Sequence, residues 1–506
     1  MEHLPAELLL HIAAHLGGPK QNVDLCSLCL TSRQLRQAAQ DVLFKAPKPS
    51  YQRRDNECSS TSLLVRTMIE RPDLAKKIRH ISWDASEALY PEKMSRLALN
   101  TAGLIGRYGT VSRACKEFVE RSQLNLADWI EGIEEGNEEA YYGACLAFVP
   151  CLDSLDIMTP DHPPRKVRMS WLDTLFNCKL ELLLDKLPAF QRLHSLTVNR
   201  TLPWAMISLP TLRHLQFGMC NLTTPLEPIP TGPQQLMLKS LVITVRDQIL
   251  LPDVELIQKL RISFLYITEL MRHTKHLEHL SIRIAWDPMF WPRHSQPTWV
   301  SLLSRVPPLD RLLSLEIDAA DRKEGGLVNC IRRKGKQPAG IRAIPLESLG
   351  QFPALQRLVV PQSVIVDEIQ EPDSAPLPHA RLPTTLQAIE IIDSTNVLDE
   401  WAQTLLWDRH QYPNLKHIAK WCDRRMEPLE RAMAPKRTKL NRPLPISSGG
   451  KVYNRTPIRK ENGPESSTGP EQRRVPELNG VWKELRDSGV EVMMHGQEER
   501  LNWRRC

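Results

Sequence analysis

The chain has 506 residues, 42% of them hydrophobic and 25% charged, which allows a sizeable buried core and excludes a wholly disordered chain. At roughly 150 residues per domain, the length suits about three domains or one long repeat array, and no stretch approaches the ~18 consecutive apolar residues of a membrane-spanning helix. The net charge is +7, but nine Lys and Arg with no Asp or Glu lie between Arg431 and Lys460, so the rest of the chain sums to −2; a generally basic, nucleic-acid-binding body is excluded.

Residues 4–16 predict a first helix. Pro5 suits its first turn, where a missing N–H costs nothing, and Leu8, Leu9, Ile12 and Leu16 fall on one apolar face. Gly17, Gly18 and Pro19 end it. A second helix is expected after Asn22-Val23-Asp24, with Asp24 as its N-cap and Leu25, Leu28, Leu35 and Ala39 on one side. A third short element ends at Leu43-Phe44-Lys45, before Pro47 and Pro49. The first residues lack the basic start of a secretory signal, so the 11 cysteines are expected as reduced thiols in the cytosol or nucleus.

Leu4-Pro5-x-Glu7-Leu8-x-x-x-Ile12-x-x-x-Leu16, then Asp24-Leu25-x-x-Leu28-x-Leu30-x-x-Arg33-x-Leu35 and Leu43-Phe44-Lys45, resembles an F-box in order, spacing and placement. The resemblance implies binding to the Skp-type adaptor of a cullin–RING ubiquitin ligase, with Leu4, Pro5, Leu8, Ile12, Leu25, Leu28 and Leu30 facing the adaptor. Forty-odd residues of helix make a poor core alone, so an apolar face there asks for a partner. The alternative is that these residues only pack the helices together or dock them on the following domain.

From residue 60 to 425 a cassette recurs: Leu-x-x-Leu-x followed by Val, Ile, Leu or Phe, beginning at Leu152, Leu193, Leu212, Leu238, Leu277, Leu312 and Leu355, with looser versions at Ile78, Leu386 and Leu415. The alternation puts two side chains on one face of a short strand. Leu212-x-x-Leu215-x-Phe217-x-x-Cys220-x-Leu222 fits the full leucine-rich-repeat frame. Successive starts from 152 onward are 19 to 43 residues apart, so irregular repeats with outer helices and insertions are expected. Val254–His273 and Asp399–Gln411 read as such helices. An all-helical solenoid is disfavoured by β-branched runs such as Val242-Ile243-Thr244-Val245. Residues 64–83 and the helix-like region 84–150, with Trp129-Ile130-Glu131-Gly132, resemble the opening of fungal F-box proteins with divergent leucine-rich repeats.

Residues 433–474 are rich in Pro, Ser, Gly, Lys and Arg and read as a disordered basic linker. Lys436-Arg437-Thr438-Lys439, after Pro435, fits a short nuclear-import cluster, but such clusters arise often by accident and a solvated linker is the alternative. Residues 476–506 read as a terminal repeat or cap, with a helix at Trp482–Leu485 and a short strand at Gly489–Val492.

No phosphate-binding loop, dinucleotide turn, nucleophile elbow or zinc-protease motif is present, so no enzyme activity, cofactor or metal is expected. Cys26-x-x-Cys29 lacks a second pair and reads as packing. His273, His276 and His279 straddle a helix–strand break. The expectation is an α/β chain: a three-helix F-box at 1–47, then an irregular leucine-rich-repeat solenoid with parallel strands inside and helices outside. Its expected function is to recruit a protein substrate to a Skp–cullin–F-box ligase. The alternative is an interaction scaffold with no ubiquitin role. Neither nucleic acid nor a membrane is expected as partner.

Overall fold

The computed structural model describes residues 4–16, 22–47, 49, 60–84, 109–135, 138–158, 175–176, 184–219, 235–246, 258–285, 302–303, 306, 307–318, 346, 348–366, 382–392, 394, 397–422 and 480–496. The basic segment 433–474 and its Lys436–Lys439 cluster lie outside the described residues, as does Cys220.

Three helices open the chain: α1 Ala6–Leu16, α2 Asn22–Thr31 and α3 Arg33–Leu43. The Pro5 carbonyl accepts the N–H groups of Leu8 and Leu9 at 3.0 and 3.2 Å. The expected second helix does not run on to Ala39. Ser32 is extended and its Oγ accepts the Leu35 N–H at 3.2 Å, so a serine N-cap starts a new helix there. Asp24 lies in the first turn of α2 instead of capping it. The module's own core is Leu9, Ala13, Leu25, Leu35, Ala38 and Ala39.

After α4 (Ser60–Glu70) and α5 (Pro72–Ala75) comes β1, His80–Asp84. Helices α6 Gly109–Ser122, α7 Ala127–Glu134 and α8 Glu138–Phe148 lead to β2, Ser154–Met158. A 3₁₀ turn at Pro188–Arg192 precedes β3, Ser195–Val198, and one helical turn, α9 Trp204–Ile207, precedes β4, His214–Gly218. Then follow β5 Ser240–Arg246, α10 Gln258–Arg272, β6 His279–Ala285, β7 Ser314–Asp318, β8 Arg357–Pro361, α11 Gln362–Ile365 and β9 Ala388–Ile392. The chain continues with α12 Val397–Trp407, β10 His417–Cys422, α13 Val481–Asp487 and β11 Glu491–Gly496. The helix expected to reach Gln411 ends at Trp407, and Arg409–Gln411 forms a separate 3₁₀ turn.

Among the described residues, eleven strands form one sheet in strict chain order, β1 to β11. Every neighbouring pair is parallel. Strands in sequential order that never reverse must each be followed by a return on the same side, which makes an α/β solenoid. The cassettes explain the register. Ile81, Leu155, Leu196, Leu215 and Leu241 stand side by side in successive strands, and the row continues through to Ile418 and Val492. This row and the one two residues on, from Trp83 to Ile391, point into a continuous apolar core with the outer helices. At Lys420 the second row carries a lysine that is only 7% exposed.

One backbone device repeats at each step from β1 to β10, and at β11 only the Glu491 N–H takes the Lys416 carbonyl, at 2.7 Å. The carbonyl just before one strand accepts two N–H groups at the start of the next: Arg79 O takes Asp153 and Ser154 at 2.8 and 2.9 Å, and Lys239 O takes Glu278 and His279, both at 2.9 Å. Lys45 O does the same for Arg79 and His80, at 3.0 and 3.1 Å. The end of the helical module thus takes the place of a strand before β1. Phe44 packs against the solenoid core, and the Asp41 carboxylate pairs with the Lys77 ammonium.

Candidate functional site

The first surface is built on α1. The expectation of one apolar face is corrected: the helix has two. Leu9, Ala13 and Leu16, at i, i+4 and i+7, turn toward α2 and α3. Leu8 and Ile12, one helical repeat apart, turn outward and are 50% and 38% exposed, and Leu4, just before the helix, is 37% exposed. Pro5 is exposed beside them. Leu30, at the end of α2, is 81% exposed, and Leu28 is half-buried against the module core. Leu25 is a second correction. It is 1% exposed and belongs to the core that holds the three helices together, so it faces no partner. Leu10, 43% exposed, was missed. Its signal was present, because Leu8, Leu9 and Leu10 in succession span too wide an arc for one stripe. Each such side chain is worth about 1.5–3 kcal/mol when fully buried, so covering the outward strip would be favourable.

The second surface is the sheet face away from the outer helices. It carries the strand positions that alternate with the core rows. The first position of each strand reads His80, Ser154, Ser195, His214, Ser240 and His279 from β1 to β6. At the ends of the sheet this face is laced by pairs: His80 Nε2 to Asp156 Oδ2 at 3.5 Å, Arg357 Nε to Glu390 Oε1 at 3.1 Å, and His417 Nδ1 to Glu491 Oε2 at 2.7 Å. In the middle, cations gather. Burial first, and then the positive neighbours His279, Lys239 and His194, hold the His214 imidazolium below its usual range, with Glu278 opposing. Lys239 Nζ reaches Glu278 Oε1 at 3.0 Å.

A histidine whose proton is held more weakly in the folded chain stabilises the fold above its unfolded pKa of 6.5. That stability is lost as pH falls through the lowered folded value. His214→Gln is therefore expected to shallow the drop in melting temperature on acidification below about pH 6.5. Equal slopes for the variant and the parent would show that His214 contributes nothing to it.

The remaining sequence candidates are dispersed. Cys26 on α2 is exposed, whereas Cys29 is half-buried and its thiol is pushed up by burial first and by Cys26 second. The His273 ring lies edge-on to Trp204 with centroids 5.4 Å apart. His276 Nδ1 is 3.2 Å from Arg311 Nη1, and His279 stands in β6 on the open face. Among the described residues, no three His, Cys, Asp or Glu are grouped to hold a metal ion, and no helix is long and apolar enough to cross a membrane.

Residues 1–47 match the F-box-like family model. No curated protein matches the chain. The chain thus carries an F-box-like domain joined, among the described residues, to an eleven-stranded α/β solenoid.

Proposed function

We propose that this protein is the substrate-binding subunit of a Skp–cullin–F-box ubiquitin ligase. The outward strip of α1, with Leu30 and Pro5, docks on a Skp-type adaptor and through it on a cullin. The body, 60–425 closed by 476–506, is a divergent leucine-rich-repeat solenoid of the fungal F-box type, and its open sheet face holds a protein substrate. The chain performs no chemistry of its own. It raises the effective concentration of substrate lysines near a charged conjugating enzyme, in the cytosol or the nucleus.

The observation that carries this reading is the exposed strip Leu4, Leu8 and Ile12 on a module that matches the F-box-like model. The join to the solenoid supports it too. Lys45, Phe44 and the Asp41–Lys77 pair hold the module in one orientation, which suits a receptor that must present its cargo at a set distance. The same join favours a second reading, in which the module merely caps the open edge of β1 in an interaction scaffold.

Co-purification with the Skp-type adaptor separates the two. The full chain is expected to capture it, and Leu8→Arg with Ile12→Arg to reduce capture at least ~100-fold, since two buried anchors become charges that must be desolvated. Both side chains are exposed in the free chain, so the melting profile should stay put. A parent chain that captures no adaptor leaves the cap reading.

A further inference from the structure

We propose that the cationic stretch of the open sheet face between β3 and β6 takes an acidic, extended segment of a protein partner and holds it more tightly as the pH falls. This rests on the reading that the open face binds a protein partner, and it names the chemistry of what is bound there.

The groups are set by the repeat. His214 and His279 occupy the same strand position in β4 and β6, with Ser240 between them in β5, so the two imidazoles stand two strand spacings, about 10 Å, apart. Ser195 holds that position in β3. His194 and Lys239 lie one residue before the strands, within electrostatic reach of His214. His194, His214, Lys239 and His279 are all exposed. The facing charges from the packed elements are few. Arg213 turns its guanidinium to the Pro210 and Leu212 carbonyls, at 2.9 and 3.1 Å. Glu278 already pairs with Lys239. On the β2 side, Asp153 Oδ2 lies 4.0 Å from Arg79 Nη1. On the β7 side the next positions are Leu313 and Ser314, with Glu316 two residues further along the same face, opposite Ser281.

Between β3 and β6 the stretch therefore holds three imidazoles and a lysine against the Glu278 carboxylate, with Asp153 and Asp156 on the β2 side and Glu316 on the β7 side of it. At the sheet ends, by contrast, His80 and His417 each stand against a carboxylate. An anion brought beside His214 replaces part of the lost solvation and offsets the repulsion from His279, Lys239 and His194. Binding then takes up a proton, and by linkage affinity rises as pH falls.

The donors are spread over four strands, about 15 Å, and are not focused on one point. A row of carboxylates on an extended chain, with same-side residues about 6.7 Å apart, matches that spread better than a single phosphoryl group. Nucleic acid is disfavoured because Glu278 lies in the row and Phe217, the ring nearest in sequence, is in the core.

The test uses the full chain and a labelled polyglutamate peptide of about six residues, long enough to cross four strands. Affinity is expected to rise about tenfold from about pH 7.5 to about pH 6, each exposed ion pair being worth roughly two- to threefold. His214→Gln with His279→Gln should keep the affinity at the higher pH and lose most of the rise. The nine Lys and Arg between Arg431 and Lys460 keep their charge over this range, so any pull they exert forms a pH-independent background. Three outcomes overturn the proposal: no peptide binding at either pH, a rise that survives in the double variant, or tighter and equally pH-dependent binding of a single-stranded oligonucleotide of matched charge. Adaptor capture by the same preparations is read separately. If it fails while the peptide result holds, the ligase reading falls and the acidic-segment site remains.

Discussion

Trp482→Ala is expected to cost about 3–5 kcal/mol and to strip α13 and β11 from the end of the solenoid. Trp482 is 2% exposed and stands where three elements meet. Its Nε1 donates to Asp399 Oδ1 on α12 at 2.6 Å. The same carboxylate oxygen receives Lys420 Nζ from β10 at 3.3 Å, and the Lys420 ammonium lies 5.0 Å from the centroid of the Trp482 ring. Removing the indole opens a cavity, takes a donor from Asp399 and leaves a buried ammonium without its ring face. In a repeat array each unit contacts mainly its neighbours, so the loss should stay local. Hydrogen exchange is expected to show protection lost over 480–496 and kept in β2 to β8. Uniform loss across all strands would refute a local closure. Lys420→Met gives the contrast. It places an apolar chain where nearly every other repeat has one, so it should cost under ~1 kcal/mol, while Asp399→Ala, which strands the lysine, should be worse.

The second large effect is Gly218→Ala. A Cβ there would stand 2.3 Å from the Asn199 carbonyl oxygen and 2.7 Å from its carbon. Both are main-chain atoms just beyond β3, so no side chain can swing aside. The Gly218 N–H donates to Arg200 O at 3.3 Å and the Met219 N–H to Thr244 O at 2.7 Å, which pins β4 between its neighbours. Relief requires β3 and β4 to separate, and a loss of about 3 kcal/mol is expected in thermal or denaturant unfolding. Gly109→Ala, at the start of α6 with nothing within 4 Å of the added carbon, should be neutral or slightly stabilising. If the two variants melt alike, close backbone approach at Gly218 is not what limits the site.

Much of the solenoid was legible because its instructions are local. Each cassette places apolar residues two apart, which only an extended chain can turn to one side. The seven strict cassettes and the looser ones at Ile78, Leu386 and Leu415 all became strands of one sheet. The break at Ser32 was hidden because apolar periodicity runs across it, and a cap is a single hydrogen bond that competes with a continuing helix. On α1, Leu8 and Leu9 are equally apolar. Which one is core depends on where α2 and α3 lie, and that is not written in the helix itself.

The sequence by itself determined the order of the elements, the apolar rows that drive them together and an F-box-like start. Tertiary structure decided how these were used. It sent Leu25 inward and left Leu4, Leu8 and Ile12 outward. It made Lys45 the carbonyl that starts the sheet, let a lysine occupy an apolar row beside Asp399 and Trp482, and brought His214 and His279 to one face. Periodicity records how apolar a position is, whereas burial, pairing and charge clustering depend on neighbours many residues away in the chain, which only the assembled fold brings near.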